Sequence, residues 1–309
     1  MSTPIILDCD PGHDDAIALL LALASPEVEL LGVTTVSGNQ TLDKTTANAI
    51  RVLDHVGRSD VEVAAGAPRP LVRERRVAAH VHGETGLDGP DLPPPQREPS
   101  GLHAIDFIAA TLERSERPVT LVPTGPLTNI ALFLARHPEL EPRIDKIVLM
   151  GGAIAEGNVT PAAEFNIWAD PEAAHRVFTS GLDVTMVGLD VTHKALLKQA
   201  HADQLAATGR AGKLVADLFG FYVQFHQQEY GWEGSPVHDA VAVAQVVRPG
   251  IVETADRGVI VDTGGELSRG RTYVDLWRRA QWEPSCHVGV DVDADGFLEL
   301  LVERIASLG

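Results

Sequence analysis

Cysteine is scarce in this chain: 309 residues hold only Cys9 and Cys286, with no pairing pattern. That excludes a disulfide framework and points to a reducing compartment, so a cytosolic protein is expected. Basic side chains are also few, 25 against 43 acidic ones, for a formal charge of −18. A chain so acidic repels phosphate backbones, which argues against a nucleic-acid partner. Long apolar runs are missing. The longest early one, Ala16 to Ala24, is too short to cross a bilayer, and Met1-Ser2-Thr3-Pro4 lacks the basic start of a signal peptide. Gly209-Arg210-Ala211-Gly212-Lys213 lacks the spacing of a phosphate loop, no Gly-x-Ser-x-Gly occurs, and no cysteine–histidine cluster implies zinc.

What is present is an alternation of short β-branched runs and amphipathic stretches. Ile5 to Leu7, Val28 to Val36, Val61 to Ala65, Val119 to Val122, Ile144 to Met150 and residues 183–189 read as strands. Helices are expected near 16–24, 43–56, 102–114, 127–136, 171–179, 194–230 and from 237 onward. The end reads as β-rich at 251–262 and 271–291, before a helix near 296–307. Neither a repeat nor a composition shift divides the chain, so residues 1–309 are expected to form one α/β domain. The expected architecture is an open, mostly parallel twisted sheet with helices on both faces. Residues 67–100 break the rhythm with arginines, His80-Val81-His82, three spaced glycines and Pro93-Pro94-Pro95. Irregular stretches this long are usually functional or disordered, and residues 77–92 are expected to form a mobile flap.

Asp8, Asp10, Asp14 and Asp15 crowd the end of the first strand, where open α/β sheets bind ligands. Asp14 or Asp15 alone would pass as helix-capping residues. Asp8 and Asp10 precede the turn, and the first Lys or Arg of the chain is Lys44. Close carboxylates repel unless one stays protonated or a cation sits among them, and oxygen-only ligands favour a hard ion. Polar residues recur where later strands end: Asn39, Thr124, then Met150 and Gly151. His238-Asp239 opens another helix, where Asp239 is either a cap or a site residue and His238 is out of place beside the helix dipole. Asp291 to Gly296 imitates a calcium loop, but its twelfth position is Val302, so it is set aside.

Taken together, Asp8-x-Asp10-Pro11-Gly12-x-Asp14-Asp15, Val122 to Asn129, Met150-Gly151-Gly152, Gly157 to Pro161, Glu164-Phe165-Asn166 and His238-Asp239 resemble the inosine–uridine-preferring nucleoside hydrolase family. The resemblance implies cleavage of the N-glycosidic bond of ribonucleosides to free base and ribose, with one Ca²⁺. By position, Asp10, Asp15, Asp239 and the main-chain oxygen of Thr124 would ligate the ion, with Asp8 supporting them. Asp14, Asn39, Met150, Asn158, Glu164 and Asn166 would line the ribose site. Asp10 would act as general base and His238 as acid, with His82, Phe165, Tyr222, His226 and Tyr230 around the base. His226 and Tyr230, four residues apart on one helix face, favour a pyrimidine. A homodimer or homotetramer is implied by the resemblance. Two other readings stay open at this point. One is a haloacid-dehalogenase-like Mg²⁺ phosphatase, which also places Asp-x-Asp after its first strand; the other is a nucleoside- or ribose-binding protein without catalysis.

Overall fold

In the computed structural model, which describes residues 2–308, the chain opens with strand β1 (Thr3–Cys9), helix α1 (His13–Ala24), β2 (Val28–Thr35) and α2 (Leu42–His55). Next come β3 (Val63–Ala65), the single turn α3 (Ala79–His82), α4 (Ala104–Arg114), β4 (Val119–Pro123), α5 (Thr128–Arg136) and β5 (Ile144–Met150). They are followed by α6 (Phe165–Ala169), α7 (Pro171–Phe178), β6 (Val184–Val187) and α8 (Leu189–Thr192). The second half holds β7 (Leu196–Lys198), α9 (Gln199–Ala206), α10 (Arg210–Tyr230), β8 (Gly234–Pro236) and α11 (His238–Val247). It closes with β9 (Val252–Arg257), β10 (Val259–Val261), β11 (Thr272–Val274), β12 (Cys286–Val292) and α12 (Ala294–Ser307).

Eight strands form the central sheet in the order β3-β2-β1-β4-β5-β6-β12-β9. All neighbours run parallel except β9, an antiparallel edge strand on β12. Successive strands first build outward from β1 through β2 to β3, then restart on its other side at β4. The carboxyl ends of β1 and β4 therefore flank the point where the winding reverses, and a crevice opens there.

Strand alternation sorts the core into two layers. Ile5, Leu7 and Cys9 point toward α1, α10, α11 and α12, packing with Leu19, Val241 and Phe297. Ile6 points the other way, toward Ile130, Phe133 and Val177 from α5 and α7. Helix α1 lies under the sheet against α11 with no polar face: ten of its residues, His13 to Ala22, are buried. That is why its sequence reads as a continuous apolar run.

Two expectations need correction. The stretch 194–230 is not one helix. It opens with β7, paired antiparallel with β8, and breaks again before α10 at Gly209, whose φ is +116°. Pro236 is tolerated in that two-stranded ribbon because neither strand has a second neighbour. The 271–291 region is likewise not continuous: β11 and β12 are separated by an irregular loop in which Arg278 and Gln281 have positive φ. Among the described residues, no helix is long and apolar enough to cross a membrane.

Candidate active site

Five buried aspartates and five histidines meet above the carboxyl ends of β1 and β4. Asp8 is the deepest. One of its oxygens accepts from Thr34 Oγ1 at 2.6 Å and from Asn129 Nδ2 at 2.7 Å, and the other has no partner. Complete burial pushes its pKa up to about 7, against those two hydrogen bonds. Asp8 braces the ends of β1, β2 and α5 rather than facing the cavity.

Asp10 lies just beyond β1. Its Oδ2 accepts from the Asn39 amide at 2.5 Å, while its Oδ1 is buried and unpaired. Asp15 does serve as a capping residue, as an ordinary helix start would have it: Oδ2 accepts from Gly12 N at 3.0 Å. It also accepts from Thr124 Oγ1 at 2.9 Å and Asn39 Nδ2 at 3.0 Å, so it ties three strand ends together. Asp239 enters from α11, whose start at Val237 has no side-chain cap, which leaves the carboxylate free of that duty. Asp14, Asp15 and Asp239 bring carboxylate oxygens within 4.8 Å of one another and form a group that can hold a metal ion. Asp14, placed by sequence with the ribose residues, thus also belongs to this cluster, and Asp10 stands beside it.

No Lys or Arg lines the cavity among the described residues. Burial first, then mutual repulsion, holds Asp10 and Asp239 well above the usual carboxylate range and Asp14 up at about 8. Asp15 is raised by burial despite its hydrogen bonds. An unpaired buried oxygen on Asp10, several carboxylates at close range and an all-oxygen donor set fit a hard cation.

A second group of cavity residues comes from β5 and the loop after it. Asn166 Nδ2 donates to the Thr124 carbonyl at 2.7 Å and to the Met150 carbonyl at 3.1 Å, fixing both. Glu164 caps α6, accepting from the Asn166 and Ile167 amides, and also holds Gly152 N at 2.9 Å. Burial raises its pKa to about 7 in spite of these donors. Asn158, exposed on the loop, accepts from Phe165 N at 3.0 Å. Asn39, Thr124, Met150, Asn158, Glu164, Phe165 and Asn166 all line the same cavity as Asp14 and Asp239.

At the other end stand His82, Tyr222, His226, Tyr230 and His238. His238 Nδ1 lies 2.7 Å from Thr192 Oγ1. Burial and the neighbouring His193, His226 and His82 hold its pKa well below the free value, lower than a group tuned for neutrality. His82 is depressed in the same way, by burial and then by His13, His226 and His80. Burial brings His226 down to about 4. Gly12 permits this crowding: a Cβ there would lie 2.6 Å from His82 Nδ1 and 2.9 Å from Asn39 Nδ2. Residues 77–92, expected to form a mobile flap, are folded down so that His82 is buried.

The structure also assembles residues the sequence reading passed over. His193 lines the cavity, its ring edge-on to His238 at 5.5 Å and to Trp232 at 5.0 Å, and Trp232 stacks on Tyr230 at 4.6 Å. His13 is fully buried behind His82. The argument made for His238, a histidine in the first turn of a buried helix, applies equally to His13.

Comparison with known proteins agrees with this geometry. The family model described as inosine-uridine preferring nucleoside hydrolase matches residues 5–299. The chain is 50% identical to the pyrimidine-specific ribonucleoside hydrolase RihA of Salmonella arizonae, over all of both chains. It is also 50% identical to the protein of the same name from a Shewanella species, over 99% of this chain and 97% of that one. Among solved structures, it matches a purine-preferring ribonucleoside hydrolase from Gardnerella vaginalis with a TM-score of 0.93 and 37% identity, covering 99% of each chain. An inosine-guanosine nucleoside hydrolase matches with a TM-score of 0.91 and 30% identity, again over 99% of each. A carboxylate-rich crevice at the winding reversal, a whole-length family match and these relatives lead to one assignment: the chain belongs to the inosine-uridine preferring nucleoside hydrolase family and is a ribonucleoside hydrolase.

Proposed function

We propose that this hydrolase cleaves pyrimidine ribonucleosides, with Ca²⁺ held by Asp10, Asp15, Asp239 and the Thr124 carbonyl. The observation that carries the reading is the division of one cavity into a carboxylate end and a histidine–tyrosine end. Family membership sets aside the phosphatase alternative and the non-catalytic one.

When bound, the ion supplies positive charge that acidifies a water and orients the ribose hydroxyls. The chain's residues do the rest. Asn39, Asn158, Glu164, Asn166 and the Met150 main chain grip the sugar through its hydroxyls. Asp10 Oδ1, the carboxylate oxygen with no protein partner, takes a proton from the attacking water. The water oxygen bonds to C1′ as the bond from C1′ to the base nitrogen breaks, and the electron pair leaves with the base. Positive charge on the ribosyl ring is stabilised by the surrounding carboxylates. The departing base gains a proton at its carbonyl edge, and His238 delivers it. Burial disfavours the His238 cation at rest; the negative charge growing on the base raises its pKa, so the ring takes a proton from solvent, passes it to the base and returns to neutral, while Asp10 later releases its proton to solvent.

Base preference follows from α10. His226 Nδ1 faces the Tyr222 carbonyl at 3.1 Å, so its hydrogen is committed there and Nε2 is an acceptor. An acceptor beside the Tyr230 hydroxyl suits the alternating N–H and C=O edge of uracil. The identity to relatives named pyrimidine-specific supports the same choice. A reducing-sugar assay over a panel of nucleosides tests it. Uridine or cytidine should exceed inosine in kcat/KM, and a strong inosine preference would overturn it.

The same reading places the enzyme in the cytoplasm, in keeping with two free, buried cysteines. It also includes a homodimer or homotetramer. Leu267, Trp277 and Val72, all well exposed, offer apolar surface for that association, and light scattering of the purified protein checks it.

A further inference from the structure

His13 stands between Gly12 and Asp14, yet its side chain turns away from the carboxylates and meets two other elements. Its Nε2 lies 2.8 Å from the Asp88 carbonyl. Its backbone N–H donates to His82 Nδ1 at 3.2 Å, and the two Nδ1 atoms are also 3.2 Å apart. Its ring stacks nearly parallel on Phe221 and Tyr222 of α10, with centroids 5.2 Å away in each case, and on His82 at 5.4 Å. Asp88 in turn organises its own segment: its carboxylate accepts from the Glu84 and Thr85 amides, each at 3.0 Å, and from the Thr85 hydroxyl.

We propose that His13 is a positioning residue: it latches the 79–89 segment over the base end of the cavity and sets the His82 ring so that its Nε2–H faces the ligand. This rests on the reading of that end as the base site. Two groups at the junction have fixed hydrogen-bonding sense. The Asp88 carbonyl can only accept, so His13 carries its hydrogen on Nε2. The His13 amide can only donate, so His82 Nδ1 is an acceptor. A neutral His82 must then hold its hydrogen on Nε2, the nitrogen without a protein partner among the described residues. That hydrogen is a donor aimed at a carbonyl oxygen or ring nitrogen of a bound base. The close Nδ1–Nδ1 approach sets two lone pairs together, and the stack between Phe221, Tyr222 and His82 holds the rings in place against it. A residue serving only to fill space would have no use for an N–H at the Asp88 carbonyl.

The test uses His13→Leu, which keeps bulk but no hydrogen bond, and His13→Gln, whose amide N–H reaches toward the same carbonyl. Asp88→Ala loosens the latch from the solvent side and leaves the buried first turn of α1 intact. Three quantities are read: hydrogen exchange over residues 79–89, the His82 tautomer by ¹⁵N NMR of histidine-labelled protein, and kcat and KM for uridine. In the parent protein the hydrogen should sit on His82 Nε2. In His13→Leu and Asp88→Ala, exchange should quicken, and in His13→Leu the loosened segment should carry His82 Nδ1 off the residue 13 amide, so that the tautomer becomes mixed. Displacing a positioned group typically loses about 10²-fold in kcat/KM, and His13→Gln should recover most of it. A parent His82 protonated on Nδ1 would overturn the proposal. So would exchange and tautomer that stay at parental values in His13→Leu and Asp88→Ala. If exchange and tautomer move as expected but uridine turnover does not, the latch stands and the base-site reading is the part that fails.

Discussion

At and beneath the carboxylate end of the cavity, burial pushes the acids up: Asp8 and Glu164 to about 7, Asp14 to about 8. At the histidine end, burial brings His13 and His226 down to about 4. The same cause, removal from water, works in both places and moves the two residue types in opposite directions. Without a cation, the protein near pH 6 thus holds neutral acids at one end and neutral bases at the other. A cation changes only the first. Bound at the acids, it would displace their protons and leave the histidines alone.

The most severe way to break this comparison is to remove the base while leaving the cluster. Asp10→Asn should lower kcat by about 10²–10⁴-fold, the usual loss for a general base, with a much smaller change in KM. Steady-state kinetics with metal content measured on the same sample checks it. Near-normal turnover with the ion in place would remove Asp10 from its role.

Cation uptake sharpens the contrast. Because the acids are protonated in the metal-free fold, Ca²⁺ binding at pH 6 should release on the order of one proton per ion. Titration calorimetry in buffers of different ionisation enthalpy measures this. No buffer dependence would mean that the cluster is already ionised.

At the base end, His226→Phe should reduce kcat/KM for uridine by roughly tenfold, the value of one lost hydrogen bond, and for inosine by less. Equal losses would detach His226 from base choice.

The smallest effect is on stability. A histidine whose folded pKa lies near about 4 leaves the unfolded chain as the better proton binder between there and about 6.5, so stability falls as pH drops through that window. The acids act oppositely: the folded chain holds protons that the unfolded chain releases, so their contribution falls as pH rises from about 4 toward 7 or 8. In the metal-free protein, His226→Gln should flatten the acid limb of a melting-temperature profile and leave the alkaline limb unchanged. A parallel shift of both limbs would assign His226 a packing role instead.

The carboxylate end was readable in the sequence because its residues sit where strands stop, and strand ends follow from the βα rhythm. Asp10, Asn39, Thr124 and Met150 were found that way, and all four come to one crevice. The motif could not say which carboxylates approach closest, since that depends on how α11 docks against α1. So Asp14 appeared among the sugar residues although it also stands within the cluster. The base end was less legible. His193 and Trp232 flank the stretch read as one helix, just before β7 and β8, and only the pairing of those two strands brings them together. Those short strands exist only because each pairs with the other, across more than thirty residues of intervening chain. His13 was in plain view inside the motif, but its partners, Asp88 and Phe221, belong to segments that meet it only in the folded chain.

Gly12, the residue whose missing side chain lets His82 and Asn39 come together, has a consequence for anyone retuning the enzyme. It lies on the seam between the two ends, and a methyl group there would strike both at once. Variation at this position is expected to disturb His82 and Asn39 jointly rather than either alone. Freedom to redesign lies across the seam, on the α10 face that carries Tyr222, His226 and Tyr230. A library randomised at those three positions should keep clones that still release ribose with altered base choice, whereas a library that also opens position 12 should return glycine among its active members.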